Sequence, residues 1–69
     1  MTLHEAIKII LEEKGTEMTT IQIADELNKR KLYSKKDNSL VTDYQIHGRT
    51  KNYPQIFIRN GSKVSLIKE

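Results

Sequence analysis

Cysteine is absent from this chain of 69 residues, and its only aromatic residues are three tyrosines and one phenylalanine. Without cysteine the chain has no disulfide framework, no thiolate zinc site and no cysteine nucleophile. No apolar run approaches the roughly 18–20 residues that span a bilayer, and the start of the chain lacks the pattern of a signal peptide. We therefore expect one small soluble domain over residues 1–69, cytoplasmic and without a membrane partner.

The charged residues are unevenly distributed along the chain. Residues 1–28 contain two basic and six acidic residues, for a net charge of −4, whereas residues 29–69 contain ten basic and three acidic residues, for a net charge of +7. This asymmetry favours a polyanion as the partner of the basic half. An uneven charge that serves only solubility is the alternative interpretation.

Three capping boxes predict three helix starts, because in each a threonine precedes a glutamate or glutamine by three residues. The three pairs are Thr2 with Glu5, Thr19 with Gln22, and Thr42 with Gln45. The first helix is predicted over residues 3–14, before Gly15. Its residues at helical spacing form one apolar stripe, which consists of Leu3, Ala6, Ile7, Ile10 and Leu11.

The second helix is predicted over residues 20–31, after a short extended segment near residues 17–19. Its predicted buried line consists of Ile21, Ala24 and Leu27, with Ile23 beside it. The polar composition of residues 33–39 predicts a loop, and Leu40 and Val41 are expected to be extended and buried.

The third helix is predicted from Thr42 to residue 51 or 52, because Pro54 disfavours a helical conformation at the preceding residue. Ile46 is its one clear core residue. The dipeptide Asn60-Gly61 then predicts a two-residue hairpin turn.

The predicted turn pairs Phe57 with Val64, and Ile58 with Lys63. The first pair, together with Leu66, would then face the helices. The order of elements is helix, short strand, helix, loop, helix and hairpin. This order predicts an α+β fold of the winged helix-turn-helix class, with three helices, a C-terminal two-stranded β-hairpin wing and a short strand near residues 17–19.

The sequence resembles the HARE-HTH family over residues 3–66. The resemblance rests on an ordered set of segments: Leu3-x-x-Ala6 with residues 9–13, Met18-Thr19 before residues 21–27, Val41-Thr42 with Gln45-Ile46-x-x-Arg49, Tyr53-Pro54-x-x-Phe57, and Gly61-Ser62-x-Val64-x-Leu66. Similar modules occur beside restriction endonucleases, in the N-terminal domain of the bacterial RNA polymerase delta subunit and in chromatin proteins. The resemblance implies a nucleic-acid-associated or chromatin-associated function as an accessory module, and some members of the family mainly contact proteins. For this chain we expect DNA binding, as an accessory to transcription regulation or to a restriction system.

In a winged helix the third helix usually enters the major groove of double-stranded DNA. With Ile46 directed inward, a rotation of 100° per residue places Tyr44, Gly48 and Lys51 on the outward face. Asp43 opposes DNA binding, because its carboxylate repels phosphate at the helix start. The predicted DNA-binding residues are Lys35, Lys36, Thr42, Tyr44, Gln45, His47, Gly48, Arg49, Lys51, Asn52, Arg59 and Lys63.

Catalysis is not expected from this sequence, and neither a cofactor nor a metal is expected. His4 and His47 lie on different predicted helices, and no glycine-rich phosphate loop follows a strand. The alternative function is a protein–protein interaction module of a transcription or chromatin complex. Its apolar patch would consist of Tyr44, Ile56, Ile58 and Ile67. Dimerisation is compatible with either function.

Overall fold

Three capping boxes begin the three helices of the protein. The computed structural model describes residues 1–33, 35 and 39–67. The helices are α1 (Leu3–Lys14), α2 (Thr20–Arg30) and α3 (Asp43–Lys51). In each box the threonine hydroxyl accepts from a backbone N–H of the first turn, and a side chain of that turn accepts from the threonine N–H. Two otherwise unpaired donors are satisfied in each box, and the three predicted helix starts are confirmed.

The apolar stripe of α1 is buried along its whole length, as its spacing predicts. The helix ends because Gly15 adopts a left-handed conformation with φ of 68°, and its N–H donates to the carbonyl oxygen of Leu11. Glycine takes this conformation without the steric cost that a Cβ atom imposes. The predicted bounds and core face of α1 are confirmed.

The buried face of α2 differs from the predicted one. The side chain of Ile21 is 60% exposed, whereas Ile23 is fully buried together with Ala24 and Leu27. The prediction that Ile21 belongs to the core was wrong, because the stripe begins one residue earlier, at the buried Thr20. The buried stripe follows the helical spacing at residues 20, 23, 24 and 27. It was missed because its first residue, Thr20, is polar.

The segment before α3 buries one of its two apolar residues. Val41 is buried, but Leu40 is 71% exposed, so the prediction that both are buried was wrong. Successive side chains of an extended segment point to opposite sides, and only one side of this segment faces the core. Residues 34 and 36–38 of the predicted loop lie outside the described residues.

A three-stranded antiparallel sheet completes the fold. Its strands are β1 (Met18–Thr19), β2 (Phe57–Asn60) and β3 (Lys63–Leu66), and β3 lies in the centre. β1 confirms the short strand that was predicted near residues 17–19. It adds a strand to the wing hairpin, because Met18 pairs with Val64.

The register of the hairpin differs from the predicted register by two residues. Phe57 pairs with Leu66, and Asn60 pairs with Lys63, so the turn consists of residues 61 and 62. Only Gly61 has a positive φ in this turn, of 65°. A turn with glycine at its first central position needs one positive φ, whereas a turn centred on Asn60-Gly61 needs two. A shift of two residues leaves each side chain on its predicted face.

The helices and the inner face of the sheet enclose one hydrophobic core. Phe57 and Val64 of the wing are buried against it, together with Met18 of β1. The wing is therefore held by apolar packing as well as by its strand pairing. None of the helices in the described part of the chain has the length and apolarity that crossing a bilayer requires.

The burial of α2 predicts different costs for the same substitution at two neighbouring isoleucines. Ile23→Val should lower the free energy of unfolding by about 0.5–1.5 kcal/mol, because it removes a buried methyl group. Ile21→Val should change it by less than about 0.5 kcal/mol, because that side chain is exposed. Urea denaturation of both variants measures the difference, and equal losses would contradict the assigned burial.

Candidate nucleic-acid interface

α3 is held by a small inward face. Ile46 is fully buried and Thr50 is 1% exposed, and they are the two buried residues of this helix. The hydroxyl of Thr50 donates to the carbonyl oxygen of Ile46 at 2.9 Å, which satisfies this buried polar group within the helix. Because the inward face is so small, other contacts must fix the direction of α3.

One of these contacts joins α2 to the residue before the α3 cap. The side-chain amide of Asn28 donates from Nδ2 to the carbonyl oxygen of Val41, and its Oδ1 accepts from the N–H of Val41, both at 2.9 Å. Asn28 was not among the residues predicted from the sequence. Its one sequence cue is that an asparagine, a weak helix former, lies near the C-terminal end of a predicted helix, where its side chain often makes a hydrogen bond.

The outward face of α3 is exposed, as the predicted rotation indicates. Tyr44 is 83% exposed, and His47, Gly48 and Lys51 are exposed as well. Arg49 also lies in solvent on the last turn. The sequence-predicted residues of this helix thus lie on a surface that a ligand can reach.

Three other predicted residues also serve the ends of α3. Thr42 is the N-cap, and the Oε1 of Gln45 accepts from its N–H at 2.9 Å. Asn52 is the C-cap, and its backbone N–H donates to helix carbonyl oxygens. The side chain of Asn52 is exposed, whereas Gln45 is half-buried and committed to the cap through its oxygen. The side chains of Thr42 and Gln45 therefore hold the start of the helix, whereas Asn52 serves its end through the backbone alone.

A contact between the wing and α3 brings two predicted residues together. Nη2 of Arg59 lies 2.6 Å from Nδ1 and 2.7 Å from Nε2 of His47, so the guanidinium is in direct contact with the imidazole ring. The Nε of Arg59 is buried and has no hydrogen-bond partner among the described residues. The wing thereby places a cation directly beside the exposed face of α3.

The basic residues differ in how far carboxylates neutralise them. Arg30 pairs with Glu13 and Glu26, and its hydrogen bonds to these carboxylates, first of all to Glu13, raise the pKa of Arg30 above its ordinary value. Lys63 of the wing pairs with Glu17 at 3.5 Å. Among the described residues, no carboxylate pairs with Arg49 or Lys51. The unneutralised charge therefore includes the last turn of α3.

Two predicted residues come from the loop before α3. Lys35 is half-buried, and Lys36 lies outside the described residues. The loop therefore contributes one described cation to the set, and the contribution of Lys36 stays a prediction.

Gly48 is the one glycine of the chain whose presence the fold does not explain. A Cβ atom added at this position would meet no heavy atom within 4 Å, whereas Gly15 and Gly61 have positive φ values. Glycine in a helix interior costs about 0.5–1 kcal/mol relative to alanine. The backbone of α3 is consequently bare at the centre of its exposed face.

The elements and their arrangement define a winged helix-turn-helix domain, with β2 and β3 as its wing. The sequence model of the HARE-HTH family, whose description names the helix-turn-helix domain of ASXL and restriction endonuclease proteins, matches residues 1–67. The chain therefore belongs to the HARE-HTH family, a family of helix-turn-helix domains to which DNA binding is ascribed. No match was found among curated proteins or among solved structures. In the described part of the chain, no group of three or more potential metal ligands lies together.

The Asn28 contact predicts a loss of stability when its amide is removed. Asn28→Ala should lower the free energy of unfolding by about 1–3 kcal/mol, because the buried Val41 loses the partners of both its backbone groups. Asn28→Asp should also be destabilising, because a carboxylate oxygen would face the carbonyl oxygen of Val41.

The matched control is Asn52→Ala, at an exposed asparagine whose side chain makes no hydrogen bond in the described structure. It should change the free energy of unfolding by less than about 0.5 kcal/mol. Urea denaturation of the three variants provides the comparison. An Asn28→Ala variant as stable as Asn52→Ala would show that the amide does not hold α3.

Proposed function

We propose that this protein is a non-catalytic module that binds double-stranded DNA, with α3 in the major groove and Arg59 of the wing at the sugar–phosphate backbone. The observation that supports this most strongly is the exposed face of α3 around Gly48. At this face the helix backbone is uncovered at Gly48, and no carboxylate of the described residues neutralises Arg49 or Lys51. In winged helix domains the third helix is the one that faces DNA.

The charges along α3 favour its C-terminal half as the part that contacts the duplex. Asp43 lies in the first turn and would repel phosphate, whereas Arg49 and Lys51 lie in the last turn. We infer that the helix approaches the duplex with residues 47–52. His47 and Asn52 would then face base edges, and Lys51 would face a phosphate.

The remaining predicted residues would have smaller roles in this arrangement. Tyr44 would donate its hydroxyl to a phosphate. Lys35, Lys36 and Lys63 would add an attraction that does not depend on sequence. Thr42 and Gln45 would act mainly by holding the start of the helix, since their capping box already uses the Thr42 hydroxyl oxygen and the Gln45 Oε1 as acceptors. We further propose that the module is an accessory to transcription or restriction machinery; the description of its family names restriction endonuclease.

The dependence of duplex affinity on salt tests the proposed function. The affinity should fall linearly on a log–log plot, with a slope of about −0.9 for each phosphate that the protein neutralises. Lys51→Ala should flatten this slope by about 0.9, because one phosphate contact is lost. Fluorescence anisotropy of a labelled mixed-sequence duplex over a range of salt concentrations measures it.

The control for this experiment is Lys8→Ala, which removes the same charge from the exposed side of α1. No predicted DNA-binding residue lies on α1, so the slope should not change. A Lys51→Ala slope equal to that of the unmodified protein, or a duplex affinity that salt does not affect, would contradict the proposed function.

Gly48→Ala should change stability and DNA affinity in opposite directions. The free energy of unfolding should rise by about 0.5–1 kcal/mol, because alanine favours the helix and its methyl group has space. Duplex affinity should fall by about tenfold, or 1.4 kcal/mol, because the methyl group would hold the groove away from the backbone. Urea denaturation and anisotropy together measure both effects, and an unchanged affinity would show that the duplex does not approach this backbone.

A further inference from the structure

A second surface lies away from α3. A groove of about 670 Å³ runs between the end of α1 and the wing, and no residue of α3 lines it. Its walls combine side chains of the helix, of the following segment and of the hairpin, among them Leu11, Glu12, Glu17, Ile58, Leu66 and Ile67. The proposed DNA-binding function does not use this groove.

The wing side of the groove is apolar and exposed. Ile58 is 51% exposed and Ile67 is 40% exposed, while Leu66 is half-buried at the edge of the core. Ile58 projects from the face of β2 opposite to Phe57, so the core does not account for its apolar character. The two exposed isoleucines, with Leu66 beside them, give this side of the groove an apolar wall.

The helix side of the groove is acidic. Glu12 and Glu17 border it, and a neighbouring cleft of about 370 Å³ shares Glu17 and is lined further by Asp25 and Glu26. Part of this charge is neutralised, because Lys63 pairs with Glu17, and Glu26 pairs both with Arg30 and with Lys14, which itself lines the cleft. Within the described residues, no cation pairs with Glu12 or Asp25. Unneutralised negative charge therefore remains in the groove, at Glu12, and in the neighbouring cleft, at Asp25.

We propose that this groove binds a basic amphipathic segment of a protein partner. The apolar side chains of the segment would cover Ile58 and Ile67, and its lysines or arginines would face Glu12 and the acidic cleft. The carboxylates disfavour DNA here, because they repel phosphate. In this arrangement the acidic surface binds a basic segment, and the basic surface around α3 binds the anionic duplex. The binding of the segment does not depend on the proposed DNA binding.

The apolar patch predicted from the sequence is only partly continuous with this surface. Ile58 and Ile67 line the groove, whereas Tyr44 and Ile56 do not. Ile56 is half-buried against the core, and Tyr44 lies on α3. The proposed partner therefore contacts two of the four residues of the predicted apolar patch. It also contacts carboxylates that were not predicted to form an interface.

The test is an amide chemical-shift titration of the labelled protein with a synthetic peptide. In this peptide, leucines recur at positions i, i+3, i+4 and i+7, and the remaining positions are lysine or alanine. The expected shifts lie at residues 11–17, at Ile58 and at residues 65–67. Ile58→Ser should weaken binding by about fivefold, and Glu12→Gln by about threefold.

The matched control is Ile21→Ser, which removes a similarly exposed isoleucine from α2 outside the groove and should leave peptide affinity unchanged. A second peptide, with glutamate in place of each lysine, should not bind. Three outcomes would overturn the proposal: no shifts at millimolar peptide, shifts confined to α3, or equal binding of the two peptides. Self-association of the free protein that Ile58→Ser abolishes would identify a second copy as the occupant and would also overturn it.

Discussion

The direction of α3 depends on the side-chain amide of Asn28, which pairs with both backbone groups of Val41. Only two residues of α3 are buried, so apolar packing alone provides few contacts to orient this helix. The amide holds the chain one residue before the Thr42 cap, and the capping box then sets the first turn. Polar contacts therefore position the start of α3, and its two buried residues hold the rest of the helix. Together they orient the exposed face that we propose binds DNA.

The wing contributes to the same surface in a different way. Phe57 and Val64 anchor the hairpin in the core, and Arg59, which pairs with Val64 across the strands, contacts His47 of α3. Core packing thus determines where a surface cation lies. The carboxylates collect at α1 and α2, where some of them pair with the basic residues nearby. Opposite charges are consequently separated between two surfaces of one small domain.

Local signals in the sequence predicted most of the fold, because three capping boxes and the stripe of α1 are short-range patterns. The errors in burial arose where tertiary contacts decide the outcome. Thr20 is buried despite its polarity, which rotates the buried face of α2 away from Ile21. The error in the hairpin register has a local cause: the positive φ of Gly61 lies at the first central position of the turn, which places the turn at residues 61 and 62. The outward face of α3 followed from Ile46 alone. The contacts of Asn28 and Arg59 join residues distant in sequence, and no local pattern identifies the partner of either side chain.

The proposed DNA-binding surface requires residues 47–52 and the wing to meet the duplex together. Amide chemical shifts of the labelled protein, followed during titration with a short mixed-sequence duplex at low salt, test it most directly. The shifts should cluster at residues 47–52 and around Arg59, and they should reverse when salt is added, because phosphate contacts are screened. Shifts that are absent at millimolar duplex, or that spread over α1 and the acidic groove instead, would contradict it.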